Sequence, residues 1–350
     1  QRLFNQHVDS EPWEHPVDIV RHLGAVQSQD FAAAKWALGL RLRKPDEDAI
    51  EHAFNDGAIL RTHVLRPTWH FVTPTDIRWM LQLTSQRIIA GTSSYYRKHG
   101  LTEASFALGR RVFERTLRDR KYLSRTALVS ELKQSGLQTD NNGYMLVLMR
   151  AELEGLICSG PRRGKQFTYA LLEERVAPGT RFDRDHALAE LCLRYFKSHG
   201  PATPHDFAWW SGLTVNDARR GIDMIHGQLE REEFDGKIYW SGAAMEPVAQ
   251  TYRPVVLVPI YDETVIAYRD RSDYLHRLST SGQPLQENIV FNHTIVVDGQ
   301  IVGTWKRTLA RGEVTVEMHL FASLSPTEER DVAAAVERYA SFVDRSTTHR

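Results

Sequence analysis

The chain has 350 residues, 42% of them apolar and 25% charged, with 44 basic and 44 acidic side chains. This is the composition of a folded protein of several modules with an ordinary core, and it excludes collagen-like, disordered and helical membrane-bundle classes. Balanced charge argues against a uniformly basic nucleic-acid binder, so any DNA-binding face has to come from local basic clusters with acids placed elsewhere.

Apolar spacing predicts helices through residues 17 to 57. Within them lies "LGAVQSQDFAAAKWALGLR", with Gln27 and Gln29 set among small and apolar neighbours. Residues two apart on a helix diverge, whereas in an extended or turn segment they share a side. Gly24 before the pair and the Ala-rich run after it are compatible with a break between Val26 and Asp30. The alternative is that one glutamine caps a turn and the other is merely exposed. The next stretch, "AILRTHVLRPTWHFV" (58 to 72), reads as a pair of strands. Pro67 holds Arg66 extended and marks an edge or bend. Alternation sends Arg66, Thr68 and His70 to one side and Trp69 and Phe71 to the other. The first side is a polar strip that faces either solvent or phosphates.

Residues 75 to 118 read as helical, 123 to 136 and 144 to 156 as shorter helices, and 157 to 171 as a hairpin with Gly and Pro at its tip. The order then recurs. A helix is expected over 185 to 200, then two more separated at Gly212 with Thr214 as N-cap, then a hairpin over 229 to 242 turning at Asp235-Gly236. Helix, helix-turn-helix and hairpin is the winged-helix layout. Two copies are apparent, and residues 15 to 75 resemble a divergent third.

Residues 250 to 322 are rich in β-branched and aromatic residues, with a hairpin turn at Asp298-Gly299. In "YDETV", Asp262 and Glu263 are expected on a strand, facing opposite sides as ordinary polar positions. The last helix starts at Ser325, with Pro326 in its first turn, Glu328 completing a capping box, and Val332, Val336, Tyr339 and Phe342 on one packed face. The fold class expected is α+β: tandem winged-helix modules over 1 to 118, 119 to 182 and 183 to 246, then a β-rich part over 247 to 350.

Dinucleotide, zinc-protease and nucleophile-elbow motifs are absent from the sequence, and "GPRRGK" is one residue short of a phosphate loop. Cys158 and Cys192 give neither a zinc spacing nor a disulfide framework, as expected in a reducing cytoplasm. No apolar run is long enough to cross a bilayer, and the opening at Gln1 leaves a preceding segment open. Basic residues cluster at Arg162, Arg163 and Lys165, at Arg269 and Arg271, at Lys306, Arg307 and Arg311, and along residues 110 to 125.

Taken in series, "LGAVQSQDFAAAKWALGLR", "RTHVLRPTWHFV" and "VVDGQIVGTWKR" resemble the AlkZ/YcaQ family of winged-helix DNA glycosylases, over nearly the whole chain. The resemblance implies tandem winged-helix modules and a β-rich part wrapped in a C shape around duplex DNA. It implies a catalytic element of glutamine, apolar residue, then glutamine or aspartate. Gln27 and Gln29 match the outer positions, and Ser28 departs from the apolar middle. The glutamine in the last position is closer to the AlkZ branch. The resemblance also implies a hairpin that probes the DNA groove, matched to Thr294 through Trp305, with His293 at its base.

Neutral amides suit this chemistry only with an activated substrate. Cleavage of an N-glycosidic bond builds positive charge on the sugar. A purine alkylated at N7 or N3 is already cationic and leaves without a proton. What remains is to place a water and to stabilise the sugar charge, and an amide carbonyl does both. Bulky adducts fit poorly into a tight pocket, so an open site facing the groove is expected.

The expected function is therefore a monofunctional DNA glycosylase for alkylated purines; whether it also opens interstrand crosslinks is not decided by the sequence. Gln27 and Gln29 are the catalytic candidates. Lys35, Arg66, Thr68, His70, Arg162, Arg163, Lys165, Arg269, Arg271, His293, Lys306 and Arg307 are the DNA-binding candidates. The partner is double-stranded DNA carrying such lesions. No cofactor, metal or membrane is called for, and the protein is expected to be a monomer at the nucleoid in the cytoplasm. The alternative is a non-catalytic winged-helix DNA binder or regulator, using Asn216, Arg219 and Arg220 to read bases. A protein-interaction scaffold is a third reading.

Overall fold

In the computed structural model the described residues are 1–8, 10–179, 182–243, 255–277 and 291–349, with residues 347–349 as backbone only. The chain opens with α1 (Arg2–Asn5) and α2 (Pro16–Leu23), which ends at Gly24. The helical register then stops. Val26–Gln27 forms a short strand, β1, before Asp30 caps α3 (Phe31–Gly39) by accepting a hydrogen bond from the Ala33 N–H. After α4 (Glu47–Asp56) come β2 (Leu60–His63) and β3 (Trp69–Val72). These make a three-stranded sheet in the order β1-β3-β2, in which Gln27 pairs with His70. The break between Val26 and Asp30 is thus present, and its cause is sheet pairing to β3.

Three helices follow: α5 (Ile77–Gly91), α6 (Ser93–Lys98) and α7 (Glu103–Leu117). Next come β4 (Leu123–Ser124), α8 (Arg125–Gln134), α9 (Asn141–Leu153), β5 (Ile157–Ser159) and β6 (Thr168–Leu171), whose strands form a sheet in the order β4-β6-β5. A short α10 (Leu172–Arg175) leads on to α11 (Arg184–His199), α12 (Pro204–Ser211) and α13 (Val215–Ile225), then the hairpin β7 (Leu229–Phe234) and β8 (Lys237–Gly242). Thr203 and Thr214 each start a helix with a capping box.

The C-terminal part has β9 (Val255–Val258), α14 (Glu263–Ile266), β10 (Thr294–Val297), β11 (Gln300–Ala310), β12 (Glu313–Leu320), α15 (Pro326–Phe342) and β13 (Ser346–His349). Its sheet runs β13-β12-β11-β10-β9, and the capping box at Ser325 and the packed face of α15 are as expected.

One large core joins residues from Leu3 to Phe342, and a second, smaller core lies under residues 96 to 171. The N-terminal segment and the C-terminal sheet are therefore packed as one. Trp36 of α3 donates its indole N–H to the Leu257 carbonyl at 2.7 Å and stacks edge-on with Tyr339 of α15. Among the described residues no helix is long and apolar enough to cross a membrane.

Two expectations about this region need correcting. The hairpin of residues 294 to 305 does not project. Its first strand, β10, is buried throughout between β9 and β11. The exposed hairpin is the next one, β11–β12, where residues 308 to 313 are open around Gly312 and Leu309 is 50% exposed. Asp262 and Glu263 are not on a strand either. Asp262 caps α14, Glu263 is its first residue, and both are fully buried.

Candidate active site

Gln27 and Gln29 reach the same turn, the one entering β3. The Gln27 Oε1 accepts from Arg66 Nη2 at 2.7 Å, and the Gln29 Oε1 lies 3.4 Å from the Trp69 N–H. An arginine only donates, so this contact settles which end of the Gln27 amide is the carbonyl. Gln27 is buried except for a small fraction, and among the described residues its Nε2 makes no hydrogen bond. Gln29 is exposed. Between them Ser28 is fully buried. Its N–H donates to the Trp69 carbonyl at 2.7 Å and its carbonyl accepts from Arg61 Nε at 3.0 Å. A buried serine in the middle position is accommodated by these main-chain bonds, although its Oγ has no partner.

Arg66 follows Leu65, which sits in the left-handed region at φ 49°, and precedes an exposed Pro67. Its Nε is buried without a partner, and among the described residues it makes no ion pair. Burial lowers the guanidinium pKa, an effect opposed by the Glu263 carboxylate. The turn is held from behind by the helix-turn-helix of α12–α13. Gly212, at φ 71°, lies so close that a Cβ there would be 2.1 Å from the Leu65 carbonyl oxygen.

The polar strip read from alternation is not a solvent face. His70 is fully buried in the central strand of its sheet, so it cannot meet a phosphate directly. Burial, then Arg66, pushes its imidazole well below the ordinary range. Thr68 is half-buried, with an unpartnered Oγ1. Lys35 is also unavailable: it is 6% exposed and its Nζ lies 2.7 Å from Glu47 and 2.9 Å from Glu51. Glu51 also binds Arg162 through both carboxylate oxygens, at 2.8 and 3.0 Å, so Arg162 is committed as well.

The other basic candidates divide by exposure. Arg163, Lys165, Arg269 and Lys306 are exposed, whereas Arg271 and Arg307 are half-buried. Arg271 lies over the Trp209 and Phe291 rings and donates to the Val265 carbonyl. His293 accepts from the Ile260 N–H at 3.1 Å and packs on Trp305. Burial, then Arg307, pushes its pKa down to about 4. Asp30, which follows Gln29, opposes that shift, so the glutamine segment and the C-terminal sheet lie within electrostatic reach of one another.

Glu263 was missed as a functional candidate. Its Oε1 accepts from the Gln27 N–H at 2.8 Å and its Oε2 from the Trp210 indole at 2.8 Å. Its neighbour Asp262 accepts two bonds from Arg41, at 2.9 and 3.0 Å, entirely inside the core. Sequence signals for α14 exist, since Asp262 is a good N-cap, but burial of the carboxylates is a tertiary property.

A family model described as DNA glycosylase AlkZ-like matches residues 20–342. The chain is 25% identical over 374 residues to the interstrand DNA cross-link repair glycosylase of Streptomyces sahachiroi, spanning 99% of this chain and 94% of that protein. The solved structure of the Streptomyces sahachiroi DNA glycosylase AlkZ has the same fold, with a TM-score of 0.79 at 21% identity, over 100% of this chain and 97% of that one. With a glutamine pair on a broken helix and a family match over nearly its full length, the chain belongs to the AlkZ-like DNA glycosylases, hydrolases of the N-glycosyl bond.

Proposed function

We propose that this glycosylase acts on purines made cationic by alkylation at N7 or N3, with Gln27 and Gln29 placing the attacking water. The observation that carries the reading is the convergence of both amides on the Arg66–Trp69 turn. In the reaction the C1′–N bond breaks and its electron pair neutralises the departing base. The water oxygen bonds to C1′ and its proton goes to solvent. No step needs a general acid, because the leaving group carries its own charge. Two aimed carbonyls supply placement and stabilisation, each typically worth about 10²- to 10³-fold in rate.

Arg66 connects binding to this chemistry. A poorly partnered guanidinium beside the site is completed by a DNA phosphate, in a bidentate, charge-assisted contact. Its withdrawal from Gln27 frees that carbonyl for the water. Arg163, Lys165, Arg269 and Lys306 are exposed enough to add phosphate contacts, and the β11–β12 hairpin is the element suited to reach into a groove. The modules over 1 to 118, 119 to 182 and 183 to 246, with the part over 247 to 350, are the framework we infer for gripping duplex DNA as a monomer.

The exposed Gln29 supports an open site that admits bulky adducts. Interstrand cross-link repair, for which the Streptomyces sahachiroi relative is named, extends to this chain on that basis, as unhooking of the crosslinked base. The test is a panel of duplexes carrying 7-methylguanine, 3-methyladenine, a bulky N7 adduct, an N7–N7 crosslink, or hypoxanthine as the neutral comparison, scored for abasic sites. Release of the cationic bases but not hypoxanthine is expected. Equal release of hypoxanthine, or no release of any cationic base, overturns the reading.

A further inference from the structure

We propose that Glu263 is a positioning residue for the reaction, acting through the peptide group of Gln27; this rests on the glutamine reading above. The carboxylate is fully buried, yet no lysine or arginine forms an ion pair with it among the described residues. Its two oxygens are divided. One takes the Gln27 N–H at 2.8 Å and the other the Trp210 indole N–H at 2.8 Å, while His199 Nε2, buried and itself without a hydrogen-bond partner, stands 3.5 Å away.

A buried carboxylate is costly unless its acceptors are used. Core filling is a poor reason for one here, because an apolar side chain would seat Trp210 at lower cost. Its geometry gives another reason. β1 is only two residues long, and the segment behind Gln27 carries the chain straight from Gly24 into α3. The ladder to β3 holds one edge of β1, and Glu263 takes the Gln27 N–H on the other. The Gln27 backbone is thereby clamped between α14 and β3. The clamp also crosses the molecule, since Trp210 belongs to α12 and Glu263 to the C-terminal part. A charge-assisted bond to the main chain fixes where the side-chain amide starts, and a small misplacement of a water-holding group costs a large factor in rate.

The experiment compares full-length Glu263→Gln with Asp262→Asn. The second variant weakens the adjacent buried pair with Arg41 without touching Gln27. Three quantities are read: single-turnover release of 7-methylguanine at saturating protein, affinity for the lesion duplex, and melting temperature. Glu263→Gln should lose at least about tenfold in rate, with affinity unchanged within about twofold. Asp262→Asn should lose comparable stability but keep its rate within about threefold. The proposal is overturned if Glu263→Gln keeps its rate within that margin, or if both variants lose rate in parallel with stability. Should Glu263→Gln not fold, Glu263→Asp is read by the same criteria; if neither folds, the carboxylate is a staple of the fold and the proposal fails. Gln27→Ala is run alongside. If it retains release, the glutamine reading has failed; if it loses release while Glu263→Gln does not, only the present inference has.

Discussion

At the scale of single residues, the site depends on which donors and acceptors are already engaged. The Gln27 carbonyl is held by Arg66, and Gln29 reaches the Trp69 N–H only at 3.4 Å. Arg66→Ala should therefore weaken lesion-DNA binding, while the Gln27 backbone stays clamped by β3 and Glu263. Its loss is expected in affinity, by about tenfold or more, with a smaller effect on the saturated single-turnover rate. A large rate loss at unchanged affinity would contradict the role assigned to Arg66. The exposed and engaged basic residues should also separate. Lys306→Ala should lower the salt slope of DNA binding by about one, whereas Lys35→Ala, whose charge is matched by Glu47 and Glu51, should leave it unchanged. A salt titration of duplex affinity reads both. The glutamine pair was legible in the sequence because its spacing made sense only if the helix broke. The burial of Lys35 and His70 was not, because alternation identifies faces without saying which of them another element covers.

At the scale of elements, the short α14 carries more than its length suggests. Asp262 and Arg41 form a buried pair, and removing one partner strands the other charge in the core. Arg41→Ala should cost about 3–5 kcal/mol of unfolding free energy in denaturant titration, and a cost below about 1 kcal/mol would contradict the pairing. The α12–α13 turn is equally constrained. Gly212→Ala forces a Cβ at positive φ against the Leu65 carbonyl, so loss of stability should come with weaker DNA binding through Arg66. Hairpins and caps were legible from local turn chemistry: Asp235-Gly236, Asp298-Gly299 and Ser325 stand where their sequences put them. Position within a sheet was not. The Asp298-Gly299 signal locates a turn, but only strand order shows that β10 is internal and that β11–β12 is the hairpin left open.

At the scale of the whole molecule, one core runs from the N-terminal helices through α11–α13 to α15, which places the glutamine segment between α12 and the C-terminal part. The buried histidines of this core set its pH response. His22 and His293 are pushed down to about 4, and His70 is pushed well below its ordinary value, in each case chiefly by burial. In the unfolded chain these groups take up protons near pH 6.5, whereas the folded chain does so only at lower pH. Stability should therefore be full above about pH 6.5 and fall as pH drops towards 4, seen as a lower melting temperature at pH 5 than at pH 7.5. For the same reason base release should be flat between about pH 6.5 and 8.5. The glutamines do not titrate, and burial holds His70 and His293 below that range. A bell-shaped rate profile centred in that range would show a general acid or base that the account does not contain. The order of helices and hairpins was legible from local signals. The shared core was not, since contacts between distant segments leave no local pattern.

The most direct measurement is single-turnover release of 7-methylguanine from duplex DNA at saturating protein and pH 7, by the native chain and by the Gln27→Ala/Gln29→Ala double variant. The account predicts a loss of about 10²-fold or more in the double variant, with lesion-duplex affinity kept within a few-fold. A double variant that releases the base at the native rate would show that the two amides do not carry the chemistry.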